Sequence, residues 1–195
     1  DGSVWVADNK GVLQFSDNGI RKHQFDDISL PDSFLRSFQI FEWNGRIYLL
    51  SQRGECFVYR KNKFIEAQFP ELIKSVHAVQ MTDHGLLVAQ DRELTLVEMD
   101  VDGNKRVVAS FDLDVSCFHE FQGDLYCGTW NNGFHELLVQ HNLTDSKRLI
   151  ESIQGAINDI NVQGQQMWLA TDEGCIALTK GEFPVTGSLI NAEAG

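Results

Sequence analysis

Short apolar runs with alternating, β-branched or aromatic residues, each closed by a turn holding Gly, Asn or Asp, follow one another along this chain. That is the pattern of antiparallel strands joined by tight turns. The clearest example is Asp1-Gly2-Ser3-Val4-Trp5-Val6-Ala7-Asp8-Asn9-Lys10-Gly11. It reads as a turn, a short strand with an aromatic near its start, a small residue, and a polar turn closed by Gly. The pattern returns as Asn44-Gly45-Arg46-Ile47-Tyr48-Leu49-Leu50, His84-Gly85-Leu86-Leu87-Val88-Ala89, Gly123-Asp124-Leu125-Tyr126-Cys127-Gly128 and Gln166-Met167-Trp168-Leu169-Ala170-Thr171. The aromatic-equivalent positions Trp5, Tyr48, Leu87, Tyr126 and Trp168 recur about every 40 residues, a period of strand signals alone that predicts propeller blades.

Each repeat reads as four short strands, with boundaries near 1–34, 35–74, 75–114, 115–155 and 156–195. The second supplies Leu35 to Glu42, Arg46 to Ser51, Glu55 to Arg60 and Lys63 to Gln68. The third supplies Val76 to Met81, Gly85 to Ala89, Leu94 to Met99 and Lys105 to Ser110, the last two joined through Asp102-Gly103. The fourth gives Val115 to Phe121, Asp124 to Gly128, Phe134 to Gln140 and Lys147 to Ile150. The fifth gives Ala156 to Val162, Met167 to Thr171, Cys175 to Leu178 and a strand around Phe183 to Thr186.

The first repeat supplies only Ser3 to Ala7, Val12 to Phe15 and Arg21 to Phe25. Its missing innermost strand comes either from the C-terminus, near Gly187 to Ala192, which would close the sheet edge, or from sequence upstream. Pro31 to Arg36 and Pro70 to Lys74 can form single helical turns. Neither sustains apolar periodicity. The expectation is one all-β domain over residues 1–195, a β-propeller of about five four-stranded blades. The chain starts without Met and inside a repeat, so it reads as an excised part of a larger propeller, with any leader, membrane anchor or effector domain outside it.

Hydrophobic residues at 43% and charged residues at 23% of 195 describe a folded chain. The net charge of −12 and the lack of any Lys/Arg cluster exclude nucleic acid as a partner. No run approaches the roughly 20 apolar residues of a membrane-spanning helix, so no membrane contact by this chain is expected.

Cys56, Cys117, Cys127 and Cys175 have no CxxC spacing. If Phe118 to Tyr126 folds back around Gln122-Gly123, Cys117 and Cys127 come nearly opposite each other, close enough for a disulfide. The alternative is that all four are small buried strand residues.

The in-register aromatics Trp5, Tyr48, Tyr126 and Trp168 suit packing between blades. Trp130 lies outside that register, in a turn, Thr129-Trp130-Asn131-Asn132, one residue longer than those of the first and fifth repeats. A flat ring beside two amides suits a carbohydrate or other small ligand; the alternative is a Trp folded back over the neighbouring blade. The corresponding turns carry Asn9-Lys10, Gln52-Arg53, Asp91-Arg92 and Asp172-Glu173. On a ring of blades these turns would share one face, which makes Arg53, Arg92, Trp130, Asn131, Asn132 and Asp172 the candidate ligand-binding residues.

His77 and His119 fall on predicted innermost strands of adjacent blades, where they would either share a metal or act as ordinary hydrogen-bonded histidines; the second reading is preferred, and no metal or cofactor is expected. The carboxylates Asp26-Asp27, Asp112, Asp114 and Asp172-Glu173 sit in turns, where Asp is favoured for backbone reasons. No residue is assigned a catalytic role. Asp100-Val101-Asp102-Gly103-Asn104 lacks the downstream Glu of a calcium loop.

The segments Asp1 to Phe15 and Met167 to Gly174, with Ile157-Asn158-Asp159-Ile160-Asn161-Val162 before the latter, resemble the two-component regulator propeller repeat, in which a "DGxLWIGTxxGL" core recurs through bacterial sensor ectodomains. The resemblance covers the whole chain and is weakest in the third copy, where Leu87 replaces the aromatic and Glu93 the closing Gly. It implies a non-catalytic, extracytoplasmic (periplasmic) input module of a membrane-bound signalling protein, of two-component or diguanylate cyclase type. Such modules sense small molecules, often glycan fragments, and dimerise through the full-length protein. One alternative is a propeller enzyme resembling streptogramin lyases or lactonases, which needs a metal and clustered His or Asp. Another is a protein-interaction scaffold.

Overall fold

The computed structural model describes residues 2–8, 11–24, 38–100, 103–140, 143–150, 155–179 and 189–190. Every regular element among them is a β-strand. Strands β1 (Val4–Asp8), β2 (Gly11–Ser16) and β3 (Gly19–Gln24) form a three-stranded sheet; β4 (Phe38–Trp43), β5 (Arg46–Ser51), β6 (Cys56–Arg60) and β7 (Lys63–Ala67) form the second sheet. The third holds β8 (Ala78–Thr82), β9 (Gly85–Gln90), β10 (Glu93–Met99) and β11 (Lys105–Phe111), and the fourth β12 (Val115–Phe121), β13 (Asp124–Thr129), β14 (Phe134–Gln140) and β15 (Leu143–Ile150). The fifth is β16 (Ile157–Gln163), β17 (Gln166–Thr171), β18 (Gly174–Thr179) and β19 (Leu189–Ile190). Strands lie in chain order within every sheet and pair antiparallel, the all-β, propeller-like architecture expected from the repeats.

Local chemistry sets these hairpins. Trp43 pairs with Arg46, Arg60 with Lys63 and Phe121 with Asp124. That leaves the two-residue turns Asn44-Gly45, Lys61-Asn62 and Gln122-Gly123, in which both residues have positive φ. Such turns match the twist of the flanking strands.

The chain divides into two compact units: Asp1–Val76 with Met99–Arg106, and His77–Glu98 with Val107–Gly195. In the first, Val12, Leu49, Phe57 and Phe64 form a core against which Trp5 and Ala7 pack. Trp5 meets Tyr59 edge-on at 4.9 Å and stacks on His23 at 5.5 Å. In the second, Leu87, Ala89, Leu94, Leu96, Val115, Cys127 and Leu137 join the third sheet to the fourth. A further core in the same unit joins the fourth sheet to the fifth through Tyr126, Phe134, Ile157, Ile160, Met167 and Leu169. The repeat positions Tyr48, Leu87 and Tyr126 are buried, as packing between sheets requires.

The small residue of the motif explains how closely sheets approach. A Cβ on Gly128 would lie 2.6 Å from Ile157 Cγ2 and 2.9 Å from Cys117 Sγ. The backbone of β13 therefore sits directly against β16.

Two expectations are corrected. Cys117 pairs with Gly128, and Phe118 with Cys127, after a bulge between Val115 and Cys117. Neighbouring residues of a strand face opposite sides, so Cys127 enters the core toward the third sheet while Cys117 packs toward the fifth. No disulfide joins them, and all four cysteines are free. The fourth strand of the fifth sheet is Leu189–Ile190, paired with Cys175 and Ile176, so this C-terminal segment completes its own sheet. The expected strand at Phe183 to Thr186 lies outside the described residues, as does the helical turn at Pro31 to Arg36. Pro70 to Lys74 forms a single turn, as expected, closed by Ile73 N–H donating to Pro70 O at 3.1 Å.

Candidate functional site

In the fourth and fifth sheets the turn after the second strand is built by the same device. At the end of β13, Thr129 Oγ1 donates to Gly133 O at 2.9 Å and accepts from Asn132 N–H at 2.8 Å. At the end of β17, Thr171 Oγ1 donates to Gly174 O and accepts from Glu173 N–H. Ser51 does comparable work in the first unit, accepting from the N–H groups of Arg53 and Glu55 and donating to Glu55 Oε2. A hydroxyl that binds the backbone across a turn satisfies groups the ladder leaves open.

A second device ties each turn to the start of its sheet's first strand. His77 Nε2 lies 2.7 Å from Asp91 Oδ1, Asn131 Nδ2 donates to Asp114 Oδ2 at 3.1 Å, and Asn158 Nδ2 donates to Asp172 Oδ1 at 2.9 Å. The backbone adds His77 N–H to Ala89 O and Trp130 N–H to Asp114 O, at 2.9 and 3.0 Å. The polar tips of these turns are held in place.

Trp130 stands at this surface, 39% exposed. Its ring meets His77 edge-on, centroids 6.3 Å apart and planes at 80°. The imidazole buttressing the indole is itself fixed by the Asp91 carboxylate. Asn132 O accepts from Nε2 of the buried His135 at 3.1 Å. A supported flat ring beside Asn131, Asp114 and Asp91 offers stacking and hydrogen bonding to a polar ligand with apolar faces, such as a sugar ring.

Of the residues picked from sequence, Trp130, Asn131 and Asn132 share this one loop. Asp172 occupies the equivalent turn of the fifth sheet, bonded to Asn158. Arg92 is exposed beside Asp91, with φ of 60°. Arg53 lies in the first unit, where it lines a groove. Sequence reasoning missed Asp91 and Asp114 as the groups that fix this surface; His77 is a hydrogen-bonded histidine, as preferred from sequence, held by Asp91 and set against Trp130. The signal lay in aligned repeats, since Asp91 and Asp172 occupy matching turn positions. Among the described residues no three His, Cys, Asp or Glu side chains are placed to hold a metal ion. The Asp100 carboxylate binds the backbone N–H and side-chain amide of Asn104, which makes that segment a hairpin turn.

At the opposite end of the same strands, a cleft of about 470 Å³ is lined by Met81, His84, Glu120, Asp124, Glu136 and Leu138, among others. Burial, with the carboxylates of Asp124 and Glu136 nearby, pushes the Tyr126 phenol up to about 12.

No protein-family model matches the chain, and no curated protein matches it. Solved structures do. The extracellular domain of a candidate hybrid two-component system of B. thetaiotaomicron aligns with TM-score 0.51 at 14% identity, over 97% of this chain and 34% of that one. A second such domain from B. thetaiotaomicron aligns with TM-score 0.61 at 14% identity, over 98% of this chain and 28% of the other. A chain of the nidogen/laminin complex aligns with TM-score 0.58 at 12% identity, over 91% of this chain and 73% of that one. This chain thus spans about a third or less of the length of the two-component ectodomains it resembles. What it shares with all three is the fold.

Proposed function

We propose that this chain is a ligand-sensing part of an extracytoplasmic input module in a bacterial membrane-bound signalling protein, and that it acts by binding and not by catalysis. The supporting likeness is to extracellular domains of two-component systems. One observation carries the reading: the exposed Trp130 is buttressed by His77, itself fixed by Asp91, while Asn131 is fixed by Asp114. A binding surface whose groups are already ordered loses little entropy when a ligand arrives. The ligand class is a small molecule or glycan fragment that stacks on Trp130 and hydrogen-bonds to the neighbouring carboxylates and amides. Signalling follows if ligand binding favours one arrangement of the whole receptor, including a dimer of the full-length protein, over another.

The test is a thermal-shift screen of the intact ectodomain against oligosaccharides and small metabolites, with Trp130→Ala in parallel. A ligand at a hundredfold excess over its Kd contributes about 2.7 kcal/mol. The expected result is a rise in Tm for the parent protein that Trp130→Ala loses. If nothing in the screen raises Tm and receptors carrying Trp130→Ala signal normally, the reading fails. The nidogen/laminin neighbour, matched over most of its length, supports a second reading as an interaction scaffold. Protein partners whose capture survives Trp130→Ala favour the scaffold.

A further inference from the structure

The first sheet turns an apolar face to solvent. Its register fixes the members of that face: Val4 pairs with Phe15 and Phe15 with Ile20, while Val6 pairs with Leu13, so all five side chains stand on one side. Val4 is 61%, Val6 45% and Ile20 70% exposed, and Leu13 and Phe15 are half-buried. Lys22, opposite Leu13 on β3, is the polar margin. The other side of the sheet carries Trp5, Ala7 and Val12 and packs into the core with the second sheet. A sheet with one face in water alternates apolar and polar residues. Val4-Trp5-Val6-Ala7 does not alternate, which is the pattern of a strand buried on both sides.

The other sheets show what occupies the equivalent face. Val4 and Val6 flank Trp5 as Ile47 and Leu49 flank Tyr48, Leu125 and Cys127 flank Tyr126, and Met167 and Leu169 flank Trp168. In each of those sheets the flanking residues enter a core with the sheet before: Leu49 with Trp5 and Ala7, Cys127 with Leu87 and Ala89, Leu169 with Tyr126 and Phe134. What meets them each time is the side of the preceding sheet that carries the repeat's aromatic position. This chain spans 34% and 28% of the two-component ectodomains it aligns with, which leaves length for further sheets of this kind. We infer that the face formed by Val4, Val6, Leu13, Phe15 and Ile20 is an interface within the intact protein, covered by a further antiparallel sheet of the same repeat that presents its aromatic side. Taking this apolar surface out of water stabilises the intact protein. Left open, such a patch favours association. The face lies in the other unit from Trp130 and stands or falls independently of the function proposed above.

The test measures thiol labelling of Ile20→Cys in the intact ectodomain and in the 195-residue chain, read peptide by peptide by mass spectrometry. Asn18→Cys, in the exposed β2–β3 turn of the same sheet, is the reference. In the 195-residue chain both positions are expected to label at similar rates. In the ectodomain Ile20→Cys is expected to label at least about a hundredfold more slowly than the reference, at any protein concentration. Val6→Cys, a change closer in size, repeats the measurement where Ile20→Cys does not fold. Equal rates in the ectodomain show the face free and overturn the inference. Protection that vanishes on dilution assigns the face to a second copy and overturns it too, as does protection already complete in the 195-residue chain. An intact sequence with no further repeat of this kind has the same consequence.

Discussion

His77 Nε2 lies 2.7 Å from Asp91 Oδ1, so the residue just before β8 is tied to the turn just after β9. The Asp91 side chain is 70% exposed and that of His77 25%, and water screens such a pair strongly. A double-mutant cycle with His77→Ala and Asp91→Ala is expected to return a coupling of about 0.5 kcal/mol. The larger effect is on order, since losing His77 removes the ring against which Trp130 rests. Faster depolarisation of Trp130 fluorescence in His77→Ala, read against a Trp130→Phe control, is the expected outcome; unchanged anisotropy would show that the imidazole supports nothing.

Gly128 makes a sharper prediction. Any side chain there meets Ile157 and Cys117 at distances real Cβ atoms do not show, so Gly128→Ala has to push β13 away from β16. Overpacking of this kind costs about 1–3 kcal/mol, and chemical denaturation should show that loss. Ile157→Ala in the Gly128→Ala background is expected to recover part of it, because the double change makes the room the single change lacks.

The thiols report both the pairing and the burial. With all four free, mass spectrometry without reductant after alkylation in denaturant should find four labelled cysteines. Under native conditions the exposed Cys175 reacts first and the buried Cys56 and Cys127 wait for unfolding. Cys56 and Tyr126 are each pushed up to about 12, and burial raises Cys127 as well. The unfolded chain releases these protons earlier, from about pH 9 for the thiols, so their contribution is complete below that pH and is lost as pH rises through the folded values. Stability is expected to fall between about pH 9 and 12, and Cys56→Ala should flatten part of the decline.

His23 sets the acid side of the first unit. It is buried, stacked on Trp5 and beside Tyr59, with Nε2 3.4 Å from Gln14 Oε1. Burial, then the charge of Arg21, lowers it from 6.5, and the hydrogen bond with the backbone of Asn62 opposes them only partly. The unfolded imidazole protonates first on acidification. Stability is therefore complete above 6.5 and declines as pH falls from there through the folded value. Tm measured against pH should show that slope in the parent protein and lose it in His23→Phe.

The strands and their grouping were legible because their causes are local. Alternation, β-branched residues and turns such as Asn44-Gly45 lie within a few positions of each other. Most of what escaped was set across space. The Gln122-Gly123 turn sets Phe121 opposite Asp124 and so Cys117 opposite Gly128, which turns an expected disulfide into two thiols on opposite faces; the bulge beyond it, between Val115 and Cys117, coincides with Ser116 Oγ donating to Ile157 O, forty-one residues on. Leu189–Ile190 is too short to show a period. At the candidate site, the length of the Trp130 turn was visible. Its anchor Asp114, by contrast, belongs to the connection preceding the sheet, a pairing that only the folded strands create.

The hydroxyls of Ser51, Thr129 and Thr171 close their turns through backbone atoms, so the chain's path across each gap depends little on the side chains that fill it. The Thr129 turn accommodates one residue more than the Thr171 turn without losing its closure on Gly133. Framework and display are thereby separated: the hydroxyl fixes the socket, and the residues between are an exchangeable insert. A receptor built this way can change what it recognises by rewriting three or four positions in a single turn while every strand pairing stays as it is.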